Sequence, residues 1–223
     1  MQGNKHISFS AFRGKSYSHF FLLLSWVVFL ALYVITEACI SVDSCYVMHT
    51  KLDDIIPFCE LFLIPYVFWY FLVAGSLIYF AFHSVDSFKK LQYFIIITQI
   101  VAMLVYIIFP NMQNLRPESF PRNNILTKGV DIIYRIDTNT NVCPSLHVAY
   151  SVGVVSAWLK EERTGKLFKL FITISAILIC LSTVFIKQHS VIDGVCAIIL
   201  CIITELVVYG GYWKMKLNKT SHL

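Results

Sequence analysis

The chain has 223 residues, 57% of them hydrophobic and only 14% charged, with a mean hydropathy of +0.70. A water-soluble domain carries about a quarter of its residues as Asp, Glu, Lys or Arg, so this composition excludes an ordinary soluble fold and implies a surface turned to lipid. The net charge of +5 comes from residues that flank apolar runs and do not gather on one helix face, which reads as membrane topology and not as nucleic-acid binding.

A basic tail with Lys5, Arg13 and Lys15 leads into an apolar stretch from Phe20 to about Ile40. That stretch approaches bilayer length and no small-residue cleavage site follows, so it reads as a retained helix and not a signal peptide. Further spans are expected near 61–82, 92–109, 143–159, 167–186 and 190–212. The fourth is the weakest, because Val148–Leu159 alone is too short and a full span requires a start near Cys143. The expected fold is therefore all-α: a polytopic membrane protein whose six transmembrane helices form a bundle. Its domain runs over 20–213, between cytoplasmic tails at 1–19 and 214–223.

Two linkers are long. One, 41–60, is acidic, with Asp43, Asp53, Asp54 and Glu60 against Lys51; the other, 110–142, is polar and rich in Asn, Pro and Arg. Six spans put Lys89, Lys90, Lys160, Arg163, Lys166, Lys169 and the tail residues Lys214, Lys216 and Lys219 on the same side as the N-terminal cations. The positive-inside bias makes that side cytoplasmic, in a cell membrane. The 110–142 linker then lies outside, yet it carries Arg116, Arg122, Lys128 and Arg135. Arginines set against the topological trend point to an anion, with a solvated loop as the plain alternative for all but Arg116.

The seven cysteines form no CxxC pair and no Cys/His spacing of the zinc type, so a structural metal is not expected. Cys45 and Cys59 share the acidic linker, and a disulfide between them stays open beside the free form.

Three polar clusters fall at the outer ends of spans: Arg116-Pro117, Cys143-Pro144-Ser145-Leu146-His147, and Lys187-Gln188-His189-Ser190-Val191-Ile192-Asp193. On a helix, His189 and Asp193 share a face. The aspartate then fixes one ring nitrogen and leaves the other with its lone pair, as a nucleophile needs. A polar first helical turn is the bland alternative, but an ionisable group inside an apolar span is functional by default. His147 begins a helix behind Pro144 and Ser145, where backbone N–H groups favour a phosphate oxygen and a histidine can protonate a leaving group. Glu205 reads as an inner or interhelical contact and Glu37 as an outer-interface residue.

These clusters resemble the type-2 phosphatidic acid phosphatase superfamily, whose membrane members have a six-helix core and the signatures KxxxxxxRP, PSGH and SRxxxxxHxxxD. Here they read as Phe109 through Arg116-Pro117, Pro144-Ser145-Leu146-His147, and Ser182 through His189 to Asp193. The resemblance implies that His189 attacks phosphorus, Asp193 orients it, His147 protonates the leaving oxygen, and Arg116 with Ser145 holds the phosphate. It implies no cofactor and no metal, and a lipid phosphate or phosphodiester as the substrate. Phe109 stands where the family has lysine and Thr183 where it has arginine, so Lys187 is the candidate replacement cation. The Pro-Ser-Leu-His form is similar to the branch related to inositol phosphorylceramide synthases, which leaves headgroup transfer beside hydrolysis of a phosphatidate- or isoprenoid-phosphate-like ester. A non-catalytic transporter or scaffold is the third reading. Oligomeric state is not legible.

Overall fold

The structure, a computed structural model, describes residues 18–220, with side chains through Lys214. Within hydrocarbon no water satisfies the backbone, and a helix satisfies it inside one segment; the apolar runs accordingly form helices. In chain order these are α1 (Leu24–Cys39), entered through a 3-10 turn from Ser18, α2 (Lys51–Ile55), α3 (Leu63–His83), α4 (Val85–Ile108), α5 (Ile125–Ile136), α6 (Leu146–Lys160), α7 (Lys166–Phe185) and α8 (Val191–Thr220). Two short strands, β1 (Tyr46–Val47) and β2 (Asn111–Met112), pair in parallel.

Among the described residues, five helices are long and apolar enough to cross a bilayer: Ser18–Cys39, Glu60–His83, Val85–Ile108, Lys166–Phe185 and Val191–Lys214. The fourth expected span differs. α6 starts at Leu146 and not near Cys143, and at 1.5 Å per residue it is about 22 Å long, short of the ~30 Å hydrocarbon core. Its length need not match lipid, because α3, α4, α7 and α8 pack around it. Val148, Ala149, Tyr150, Val154, Ala157 and Trp158 are all buried. α6 and α4 approach closely at Gly153, where a Cβ would lie 2.7 Å from a ring carbon of Phe94. α1, packed on α4, is the most peripheral helix and leaves Val27, Val28, Val34 and Ile35 on an open face.

The helices alternate in direction. At one end, His19 Nε2 meets the Ala81 carbonyl at 3.1 Å, Ser87 donates to Glu161, and Arg163 donates to the His83 carbonyl. Glu205 bridges α8 to α6 there, accepting from Lys160 Nζ at 2.6 Å and Ser156 Oγ at 2.5 Å. At the other end the 41–60 and 110–142 linkers meet the starts of α3, α6 and α8. Glu37 at the end of α1 accepts from Thr138 and Thr140.

Several boundaries move. His19, expected in the tail, is buried in the bundle, and α8 runs through the expected C-terminal tail to Thr220. Lys5, Arg13 and Lys15, and the side chains of Lys216 and Lys219, lie outside the described residues. The 110–142 linker is not all loop: it contains β2 and α5, whose start is capped by Asn124 accepting from Leu126 N and Thr127 N. Cys45 and Cys59 are free thiols.

Candidate active site

The site forms where three segments outside the long helices are fixed by a few backbone bonds and by side chains. The segment before α6 is held by Asn111, which is fully buried. Its Oδ1 accepts from Val142 N (2.9 Å) and Cys143 N (2.8 Å), and its Nδ2 donates to the carbonyls of Phe109 (2.9 Å) and Cys143 (3.1 Å). Tyr106 adds a hydrogen bond from its hydroxyl to the Pro144 carbonyl. α6 therefore begins at a fixed point, with Ser145 as its cap residue and His147 in its first turn.

Residues 186–190 turn the chain from α7 into α8, with Lys187 in the left-handed region at φ 57. The Thr183 carbonyl accepts from both Gln188 N and His189 N. Asp193 lies in the first turn of α8, completely buried. Its Oδ2 accepts from Ser190 N at 2.9 Å and sits 3.4 Å from His189 Nδ1. A carboxylate here caps the helix and meets the positive end of its dipole. The same turn is tied to α6, because Ser145 N donates to the Asp193 carbonyl at 3.1 Å. The expectation that Ser145 N–H faces a phosphate is thus corrected: it is already used. The N–H groups of Leu146 and His147 remain first-turn donors without an intrahelical acceptor.

The two histidines stand with ring centroids 5.8 Å apart and planes at 62°. Tyr66 stacks on His147 at 4.5 Å and Trp69 packs on it at 4.3 Å, fixing a ring whose Nε2 is buried without a hydrogen-bond partner.

Arg116 is brought to the same end. Its guanidinium donates to the carbonyls of Tyr134 (2.8 Å) and Asp137 (2.6 Å) and to Gln188 Oε1 (2.7 Å), and lies over the Tyr134 ring. All three direct acceptors are neutral, and the Asp137 carboxylate, bound to Gln188, is the nearby anion that acts on the guanidinium. Burial pulls its pKa below the usual arginine value, opposed by Tyr134 and Asp137; a guanidinium remains charged under such a shift. Arg116 Nε and Ser145 Oγ, like His147 Nε2, are buried and unpartnered.

Lys187 does not join this group. Its ammonium donates to the carbonyls of Asp53 (2.7 Å) and Ile56 (2.6 Å), so the expectation that it replaces a missing phosphate cation finds no support. Phe109 sits half-exposed against the Tyr46 ring.

Sequence reasoning gave no role to Asn111, Asp137 or Gln188. The Asp137 carboxylate accepts from the Tyr66 hydroxyl at 2.9 Å and Gln188 Nε2 at 3.1 Å, joining the residue that packs on His147 to the one that holds Arg116. Only Gln188, adjacent to the histidine motif, carried a sequence signal.

The pattern of the PAP2 superfamily matches residues 91–216, more than half of the 223-residue chain. The chain belongs to the PAP2 superfamily. Members of the PAP2 superfamily are generally phosphatases or phosphotransferases, which supports an enzyme acting on phosphate esters. No curated protein and no solved structure gives a significant match. The PAP2 match includes Arg116, Ser145, His147, His189 and Asp193, and leaves out α1, α2 and α3.

Proposed function

We propose that this PAP2 protein is an integral-membrane enzyme that cleaves the phosphate ester of an amphiphilic substrate through a phosphohistidine at His189. The observation that carries the reading is that His147 Nε2, Ser145 Oγ and Arg116 Nε, like Asp193 Oδ1, are buried without partners on residues tied to the His189 turn by the His147–His189 ring contact, the Ser145 N–Asp193 carbonyl bond and the Arg116–Gln188 bond. Buried polar atoms are costly unless paired, and a phosphoryl group would pair all three.

With Asp193 accepting from His189 Nδ1–H, the Nε2 lone pair attacks phosphorus. The N–P bond forms as the P–O bond to the leaving group breaks, and protonated His147 delivers its proton to the departing oxygen. In the second step water, or an alcohol, attacks the phosphohistidine. His147 takes the incoming proton, and the N–P bond breaks to release phosphate or a new ester. Arg116, Ser145 Oγ and the first-turn N–H groups of α6 stabilise charge on the phosphoryl oxygens, which is most of what such a transfer requires. The reading places the site on the extracytoplasmic face of a cell membrane, on the strength of the cation distribution along the sequence.

Headgroup transfer is the second reading. It is favoured by Phe109 and Thr183 standing where the family has phosphate-binding cations: Phe109 packs on Tyr46, and Thr183 serves the His189 turn through its carbonyl. Purified protein in detergent, incubated with phosphatidate, an isoprenoid phosphate and phosphodiester lipids with and without added alcohols, separates the two. Phosphate release without an acceptor supports the phosphatase, and alcohol-dependent exchange supports the transferase. Neither with any substrate, from folded protein, counts against both.

A further inference from the structure

Residues 50–56 lie outside the part of the chain matched to the PAP2 superfamily, yet they grip the His189 turn from both sides. Before the histidine, the Lys187 ammonium donates to the Asp53 and Ile56 carbonyls. After it, the Asp53 carboxylate accepts from Ser190 Oγ at 2.5 Å and from Val191 N at 2.8 Å. Thr50 N and Oγ1 steady the same carboxylate at 2.7 and 2.9 Å, and Cys59 N donates to the Phe185 carbonyl at 3.0 Å. Asp53 is only 3% exposed.

A carboxylate withdrawn from water at this cost is matched to the start of α8. Asp193 caps that helix from within, while Asp53 satisfies the next N–H and the Ser190 hydroxyl from across the fold. The turn it grips contains a left-handed lysine and no regular structure; the Thr183 carbonyl holds its N-terminal side through Gln188 N and His189 N, and the step from His189 into α8 depends on these side-chain anchors. The geometry points to Asp53 as a positioning residue for His189: through Ser190 and Val191 it sets where the imidazole stands relative to His147 and Arg116. This rests on the reading of His189 as the nucleophile.

Orthovanadate, a probe of the phosphoryl site that needs no knowledge of the substrate, tests it by calorimetry on the full chain in detergent. Long-range proton–nitrogen spectra of histidine-labelled protein provide the second readout, with His189→Ala assigning the ring. Asp53→Ala should weaken vanadate binding about 100-fold, the scale of a misplacement near 1 Å, and shift the His189 ring signals at a temperature where circular dichroism reports folded protein. Asp53→Asn, which keeps an acceptor for Val191 N–H, should recover to within about tenfold of wild type. If Asp53→Ala does not fold, Ser190→Ala removes one of the two bonds and should weaken binding about tenfold.

Wild-type affinity and unchanged ring signals in Asp53→Ala would overturn the inference. So would an equal loss in Lys160→Met, which destabilises the opposite end. Wild-type affinity in His189→Ala, or no binding by the wild type, would instead refute the nucleophile reading beneath it.

Discussion

Asn111→Ala isolates the element that fixes the start of α6. The native amide makes four buried hydrogen bonds, to Val142 N, Cys143 N and the carbonyls of Phe109 and Cys143. Alanine leaves the two N–H donors and at least one carbonyl buried and unpaired, at about 1–3 kcal/mol each. Water entering the gap relieves part of that, so a net local cost of about 3 kcal/mol is expected. At 1.4 kcal/mol per tenfold, this raises the population of the opened 141–145 segment about 100-fold. Cys143 lies in that segment and is 5% exposed, which makes its thiol the reporter. Maleimide labelling followed by peptide mapping should show Cys143 reacting about 100-fold faster in the variant. Cys201, buried between α8 and α6, reports global opening in the same molecules and should change far less. A Cys143 rate within about threefold of wild type, or an equal rise at Cys201, would refute the assignment of Asn111 as the local anchor.

The other predictions address the two ends of the bundle. Lys160→Met breaks an ion pair with Glu205 whose side chains are 12% and 21% exposed; discounted for that exposure, the cost is about 1–3 kcal/mol. At about 2–4 °C per kcal/mol the thermal midpoint in detergent should fall measurably, while vanadate affinity at low temperature stays at the wild-type value. Asp53 predicts a pH dependence. Burial raises its pKa, but hydrogen bonds from Ser190, Val191 and Thr50 outweigh burial and hold it below the usual carboxylate range. Its contribution is therefore complete above the unfolded value of about 3.9 and is lost as pH falls through the lower folded value. The difference in thermal midpoint between wild type and Asp53→Asn should be constant from pH 6 to about 5 and shrink below about pH 4; a difference unchanged at pH 3 would contradict it.

The membrane helices were legible because twenty apolar residues in a row have few other uses. α6 was half-legible: hydropathy could not supply its length, since a helix enclosed by protein is not measured against the bilayer, and the Pro-Ser-Leu-His run located its start better than composition did. α5 was hidden because Lys128, Asp131 and Arg135 alternate with its apolar residues, and its two buried residues, Thr127 and Val130, leave only a thin signal. The His189–Asp193 contact was expected from helical spacing, but His189 lies in the turn before α8 and meets Asp193 beside the helix cap; the anchors were not legible at all. Asp53 meets Ser190 across 137 residues and Asn111 meets Cys143 across 32; before folding, each is one polar residue in a polar linker. Lys187 misled for the same reason. Its nearness to His189 in sequence suggested a phosphate cation, and the left-handed backbone turns its ammonium to the Asp53 segment instead.

The central claim is that phosphorus is bonded to His189 during turnover. Protein quenched in alkali while cleaving a lipid phosphate ester, then digested and sequenced by mass spectrometry, should carry an acid-labile phosphoryl group on His189, absent from His189→Ala, which should not turn over. Turnover in His189→Ala, or a phosphoryl group found on another residue, would contradict the account.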